Sequence, residues 1–188
     1  MSQARDGRGR WARSRTAADR VVSDRLARQA AVGVGADTDP GTLTGLAAAP
    51  DTDHDTLTAV ASHPNTPPEA LTALADRGRW ETRSRVAAHP RTPPATLGEL
   101  ASDPDVWVRD DACANPFTPP GALARRADPE TEPATAVRRA VARNQATPPE
   151  ALARLAVSDP DESVRDAACD HQRCPPAART ASSLINRR

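Results

Sequence analysis

The stretch that decides the fold is residues 92–116, TPPATLGELASDPDVWVRDDACANP. In its first part Leu97, Leu100 and Ala101 follow one another at the spacing that places apolar side chains on one face of an α-helix. The Asp-Pro-Asp segment at 103–105 is typical of a turn, because aspartate and proline both favour turn geometry. The remaining part repeats the helical spacing and ends at a proline. The stretch therefore predicts two short helices joined by a tight turn.

This pattern recurs along most of the chain. Each copy opens with two prolines preceded by Thr or, in the last copy, by Cys: Thr66-Pro67-Pro68, Thr92-Pro93-Pro94, Thr118-Pro119-Pro120, Thr147-Pro148-Pro149 and Cys174-Pro175-Pro176. The openings are 26, 26, 29 and 27 residues apart. The third copy keeps its first Leu but has Arg126 where the first, second and fourth copies have their second Leu, and the last copy has lost both Leu. A period of this length indicates a solenoid, in which each unit packs only on its neighbours.

The ends of the helices are also marked in the sequence. We expect the Thr of each Thr-Pro-Pro step to cap the first helix, with the following Pro at the first helical position. The turns at 103–105, 128–130 and 159–161 should each stop one helix and cap the next. Helices of roughly 8 to 10 residues are unstable in isolation, so they must pack on neighbouring repeats.

The composition without the repeats would indicate disorder. Only 38% of the residues are apolar, 19 are Pro, and the mean hydropathy is −0.62. The net charge is zero, however, whereas disordered chains usually carry a high net charge. With three Trp, one Phe and no Tyr, a large aromatic pocket is not expected, and the absence of a long apolar run excludes a membrane span.

We predict one domain with a short tail. Residues 1–10 form a flexible basic tail and 11–188 a single α-solenoid, divided into a degenerate N-terminal unit at 11–36, repeats at 37–173 and a C-terminal cap at 174–188. The charge is unevenly distributed, at +5 over residues 1–28 and −7 over residues 29–76.

The order of these elements resembles the variant leucine-rich repeat family. Val-Arg, Ala, Asn-Pro, Thr-Pro and Leu-x-x-Leu-Ala follow one another in that order over residues 39–176. The resemblance implies a right-handed all-α solenoid, with short α-helices alternating with 3₁₀-like or short second helices. HEAT repeats, in the wider HEAT/armadillo-like class, share the Asp-Pro-Asp and Val-Arg half. The family implies no enzymatic activity. Some members carry an N-terminal cysteine cluster that binds an iron–sulfur centre, but Cys113 is the first cysteine here, so we expect no cofactor.

Two sets of side chains are candidates for contact with a partner. The first is a ladder of arginines at equivalent positions: Arg83, Arg109, Arg138 and Arg165. They could face an acidic peptide or a phosphate backbone, or they could bond internally to the acids of the turns. We favour the internal arrangement because each follows a core position directly. The second set is Trp80 and Trp107, at the starts of adjacent second helices, which would anchor a partner or shield the flank of the solenoid.

A metal site and a catalytic site are both disfavoured. Cys169, His171 and Cys174 have the spacing C-x-H-x₂-C, which could bind zinc. However, Cys169 occupies the same small core position as Cys113, and Cys174 replaces a Thr of the repeat. No nucleophile with a paired base and no glycine-rich phosphate loop is found, so we expect no enzyme.

These observations predict a non-enzymatic scaffold that binds a protein or peptide along a concave face lined by the second helices. The alternative is nucleic-acid binding through the Arg-rich N-terminal arm and the Arg ladder, and a weaker one is a metal or iron–sulfur protein. Three cysteines and an N-terminus without an apolar segment favour the cytoplasm. The Ala-rich chain uses Arg and no Lys, which indicates a high-GC, bacterial genome.

Overall fold

The computed structural model of the protein describes residues 34–185, with side chains as far as residue 182. This part of the chain consists of eleven α-helices and contains no strand. They are α1 (Pro40–Ala48), α2 (His54–Ser62), α3 (Pro68–Arg77), α4 (Trp80–Ala88), α5 (Pro94–Leu100), α6 (Val106–Ala114), α7 (Pro120–Arg126), α8 (Thr135–Arg143), α9 (Pro149–Ser158), α10 (Glu162–Asp170) and α11 (Pro176–Ile185). The predicted all-α solenoid of short helix pairs is confirmed. No helix among these residues is long and apolar enough to cross a bilayer.

The helices alternate between two rows. The second helices of the pairs (α2, α4, α6, α8 and α10) pack side by side, each against the next, along the whole row. The first helices are less tightly packed in the middle of the molecule, where α5, α7 and α9 contact one another little. Helices on the inner side of a curved array lie closer together, so we infer that the second helices line the concave side.

The core is a continuous stripe between the two rows. Most Leu residues of the first helices and most Val residues of the second helices are fully buried: Leu71, Leu74, Leu97, Leu123, Leu152, Leu155, Val86, Val108, Val137, Val141 and Val164. Each such side chain contributes about 1.5–3 kcal/mol by leaving water. Buried alanines, such as Ala87 and Ala142, let the short helices approach one another closely.

The Thr of the Thr-Pro-Pro step does not cap the first helix, contrary to the prediction. Each of these helices begins at the second proline, and the first proline occupies the capping position. The Thr hydroxyl instead donates a hydrogen bond to a carbonyl six residues earlier, near the end of the preceding second helix. The distance is 2.6 Å from Thr66 to Val60 and 2.6 Å from Thr147 to Val141. Because that helix end is buried, its carbonyls need a donor from the protein.

In two of the three predicted places, the Asp-Pro-Asp turn ends one helix and caps the next. Asp105 and Asp161 accept hydrogen bonds from the first-turn amides of α6 and α10, as predicted. The prediction is wrong for the turn at 128–130, because α8 begins only at Thr135 and has no side-chain cap. The acid equivalent to Asp103 and Asp159 is Glu132, which precedes the next Val-Arg pair by the same number of residues.

The described residues include only some of the predicted unit boundaries. The tail at 1–10 and the degenerate unit up to residue 33 lie outside the described residues, so the division of the domain stays a prediction.

Replacing Thr147 by valine tests whether the Thr hydroxyl stabilises the end of the preceding second helix. The change keeps the shape of the side chain but leaves the carbonyl of Val141 without the hydroxyl donor. We expect the free energy of unfolding to fall by about 1–3 kcal/mol, measured by urea denaturation with circular dichroism. Thr44→Val is the control, because this hydroxyl bonds only within its own helix near the surface. Equal effects of the two variants would contradict the proposed role.

Candidate functional site

The arginine ladder forms bonds between neighbouring repeats. Arg83 donates to both carboxylate oxygens of Asp103 in the next repeat, from Nε at 2.6 Å and from Nη2 at 2.9 Å. Its third nitrogen donates to the carbonyl of Gly78 at the start of its own helix. The hydrogen bond to Asp103 raises the pKa of Arg83, so this guanidinium stays charged at any physiological pH. Each such arginine therefore joins its own turn to the turn of the following repeat.

The next two arginines make the same contacts more deeply in the protein. Arg109 binds Glu132 through Nε at 2.7 Å and Nη2 at 3.0 Å, and Arg138 binds Asp159 at 2.7 and 3.1 Å. Arg138 is only 3% exposed, and the side chains of both acids are fully buried. Bidentate pairs of this kind satisfy most of the hydrogen-bond donors of the guanidinium.

The last arginine, Arg165, keeps the contacts to its own turn. Its Nη1 donates to the carbonyls of Asp159 at 2.9 Å and Pro160 at 3.3 Å. The internal arrangement favoured from the sequence is thus present along the ladder. Contact between any of these four side chains and a partner stays a prediction.

The irregular third copy is linked to the same ladder. Arg126, which replaces a core Leu, directs its Nη1 to Glu132 at 3.7 Å, and Glu132 also binds Arg109. The longer turn before α8 therefore supplies one buried acid for two arginines. An Arg at a core position is accommodated in this way.

A second ladder, which the sequence analysis did not identify, joins the other ends of the second helices. It consists of His63, His89, Asn115, Asn144 and His171, one residue after each helix. Asn144 donates to the carbonyls of Cys113 at 2.7 Å and Asn115 at 2.8 Å in the preceding repeat, and its Oδ1 accepts from Ala146. His89 makes one such bond, from Nε2 to the carbonyl of His63 at 3.1 Å. In the sequence, this ladder is indicated by the His or Asn that recurs before Pro or Gln at the end of each second helix.

The concave face carries a groove between α6 and α8. It has a volume of about 410 Å³ and is open to solvent. Its residues are mainly Ala, Asp and Arg: Asp110, Asp111, Ala114, Ala136, Arg139, Ala140, Arg143 and Asn144. A second groove of about 430 Å³ continues towards the end of α10 and shares Arg143. Two adjoining grooves therefore follow the row of second helices.

The two predicted tryptophans lie at the edge of this face. Trp80 is the first residue of α4 and Trp107 the second residue of α6, and these helices pack side by side. Both side chains are half-buried, and Trp80 packs against the core. Their role as anchors for a partner stays a prediction.

Comparison with known proteins identifies the repeats. The leucine rich repeat variant family matches residues 54–77, 80–105 and 135–161. These segments are leucine-rich repeat variant repeats. The predicted resemblance is thus confirmed, and each match combines a second helix with the first helix that follows it. The segment between the second and third matches contains Arg126 and the longer turn before Glu132.

One solved structure is similar to the chain. It is described as a leucine-rich repeat variant with a novel repetitive protein structural motif, and the two chains are 27% identical with a TM-score of 0.40. The alignment covers 88% of this chain and 82% of the other. No curated protein matches the chain.

The residues of the C-x-H-x₂-C segment are not brought together as a group of ligands in the described part of the chain. Within the described residues no group of three potential ligands lies together. Nδ1 of His171 accepts a hydrogen bond from the amide of Arg173, and its ring also bonds the carbonyl of Asn144. The bond from Arg173 lies within the turn after α10, whereas the bond to Asn144 joins this repeat to the preceding one. Cys169 and Cys174 are free thiols, of which Cys174 is buried.

The ladder pairs of the variant repeats should be essential for stability. We expect Arg138→Ala to lower the free energy of unfolding by about 3–5 kcal/mol, because it leaves Asp159 buried without its partner. Urea denaturation measures this difference. The adjacent Arg139→Ala is the control: this side chain is half-exposed, and we expect a change within about 0.5 kcal/mol. A similar loss in both variants would exclude a special role for the ladder.

Two histidines of the second ladder, His89 and His171, should make stability depend on pH. Burial lowers the pKa of His89, and so does the nearby Arg91, against the hydrogen bond to the carbonyl of His63. The unfolded chain then binds more protons than the folded one just below the ordinary histidine pKa of 6.5. The free energy of unfolding should therefore fall as the pH is lowered from 7 to 5.

His89→Asn tests this dependence, since Asn already occupies the equivalent place in two repeats. We expect the variant to lose less stability than the wild-type protein between pH 7 and 5, measured by urea denaturation at each pH. Part of the dependence should remain, because burial also lowers the pKa of His171. The capping acids such as Asp161, whose pKa lies below 3.8, lose their contribution only at lower pH. An unchanged pH profile would contradict the prediction.

Proposed function

We propose that the chain is a non-enzymatic repeat scaffold that binds a protein or peptide along the concave face of its second helices. The observation that supports this is the open groove between α6 and α8, which is lined by alanines and by charged side chains. Short side chains leave room for a segment of a partner, and the charges can orient it. We place this activity in the cytoplasm of a bacterium.

The side chains that stack the repeats are different from those that face outward, which supports the same proposal. The arginines and acids of the ladder and the His and Asn residues beside them are used to stack the repeats. The side chains on the outward-facing side of the second helices do not take part in these two ladders. Their identity differs from repeat to repeat, as a surface that recognises a particular partner requires. In this proposal Trp80 and Trp107 contact a partner that extends towards α4.

Nucleic-acid binding is the alternative outcome. Its predicted arm lies within residues 1–28, outside the described part of the chain, and stays a prediction. On the concave face the Asp pairs of α6 and α10 would repel a phosphate backbone, which favours a peptide as the ligand of this surface. Metal or iron–sulfur binding has no supporting arrangement within residues 34–185.

A peptide-display selection with a random library tests the proposal. Peptides enriched on the wild-type protein are measured against Ala114→Arg, which places a long side chain in the groove, by fluorescence anisotropy. We expect a loss of affinity of about tenfold or more, or about 1.4 kcal/mol. Ala95→Arg is the matched control, because Ala95 is equally exposed but lies on a first helix.

Two results would overturn the proposal. One is that no peptide is enriched over the library background. The other is that the selected peptides bind Ala114→Arg and Ala95→Arg with the same affinity as the wild-type protein. Binding of a mixed-sequence single-stranded oligonucleotide in place of peptides would favour the alternative.

A further inference from the structure

The charges on three adjacent second helices alternate in sign. The same two positions of the helix, four residues apart, hold Arg139 and Arg143 in α8 and Asp166 and Asp170 in α10. In α6 the first of these positions is Asp110, with Asp111 beside it. Positions four residues apart lie on the same side of a helix. The concave face therefore presents a basic stripe between two acidic stripes.

The basic stripe is not neutralised within the described part of the protein. The side chains of Arg139 and Arg143 form no ion pair or hydrogen bond with residues 34–185, in contrast to the buried Arg138 beside them. Their helix contains no acidic residue. Asp111, on the facing side of the groove, accepts a hydrogen bond from Ser84 of α4 at 2.5 Å. Two like charges one turn apart are unfavourable unless a ligand compensates them.

The spacing of the stripes is set by helix packing. Axes of packed helices lie about 8–10 Å apart. An extended peptide advances about 3.3 Å per residue. A peptide that crosses the row of second helices therefore places one residue over each stripe about every three residues.

We propose that this face binds an extended peptide with the charge pattern basic-x-x-acidic-x-x-basic. Its central carboxylate lies between Arg139 and Arg143, and its outer basic side chains face the acids of α6 and α10. A guanidinium pair is well suited to a carboxylate, because each Arg offers several donors. A polyanion is disfavoured, since it would place negative charge over both acidic stripes. This inference rests on the proposed function and specifies the partner that the groove takes.

Two biased display libraries test the charge pattern. One fixes Lys-x-x-Glu-x-x-Lys, the other fixes the same three residues in the order Lys-x-x-Lys-x-x-Glu, and x is random in both. The random positions allow contacts with the alanines that line the groove, which are needed because exposed ion pairs alone are weak. We expect enrichment on the wild-type protein from the first library at least about tenfold above the second.

Variants of the basic stripe give the matched comparison. In anisotropy measurements at low salt, Arg139→Ala/Arg143→Ala should weaken the selected peptides about tenfold or more. Arg91→Ala/Arg125→Ala, which removes two exposed arginines outside the second helices, should leave the affinity within about twofold. Arg139→Glu/Arg143→Glu should reverse the preference at the centre, so that peptides with Lys in place of the central Glu bind better. Circular dichroism checks that each variant is folded.

The outcomes separate this inference from the proposed function. Peptides that require the groove, as shown by Ala114→Arg, but are enriched equally from both libraries would overturn the charge pattern and leave the proposed function standing. Retained affinity in Arg139→Ala/Arg143→Ala would also overturn it. Tighter binding of oligothymidylate than of the selected peptides at this stripe would overturn the choice of a peptide. Failure of every library, including the random one, would overturn the proposed function itself.

Discussion

The buried ends of the second helices are the constraint on which the rest of the structure depends. Each of these helices is about nine residues long, so a large share of its backbone carbonyls has no partner within the helix. The next repeat covers that end and excludes water. Every carbonyl without a partner in the helix must then accept a hydrogen bond from another part of the protein. The Thr hydroxyl of the same repeat and the Asn or His side chain of the following one supply these donors. The stacking of repeats and the satisfaction of the backbone are thus the same set of contacts.

The arginine ladder performs the corresponding task at the start of the second helices. A guanidinium has enough donors to bond a carbonyl of its own turn and both oxygens of the next acid. The pair adds direction to the stacking, since it forms only when adjacent repeats are in register. A buried ion pair replaced by well-packed apolar residues is often no less stable, so register is the more important contribution. With both ladders used in this way, the outward positions of the second helices remain available for the proposed recognition of a partner.

The repeat period, the helix pairs and the apolar stripes could be predicted from the sequence because each depends on neighbours in the chain. The Thr residues show the limit of that reasoning. A Thr before Pro-Pro is a good local cap for the helix that follows, yet Thr147 bonds the helix that precedes it. Burial of the preceding helix end decides this, and burial depends on the next repeat. Glu132 was missed because the more obvious turn at 128–130 lies nearby. Its spacing from the next Val-Arg pair is the same as that of Asp103 and Asp159, and the pairing with Arg109 shows that it is the equivalent acid.

The sequence by itself determined the architecture: proline spacing defines the helix ends, and Leu and Ala spacing defines the faces that pack. Only the tertiary structure decided what the polar side chains do. Arg138 and Arg139 are adjacent in the chain and chemically identical, but one is held against Asp159 in the core and the other lies on the concave groove. A helix turns by about 100° per residue, so neighbours in sequence point in different directions, and packing determines which of them meets a partner repeat and which meets solvent.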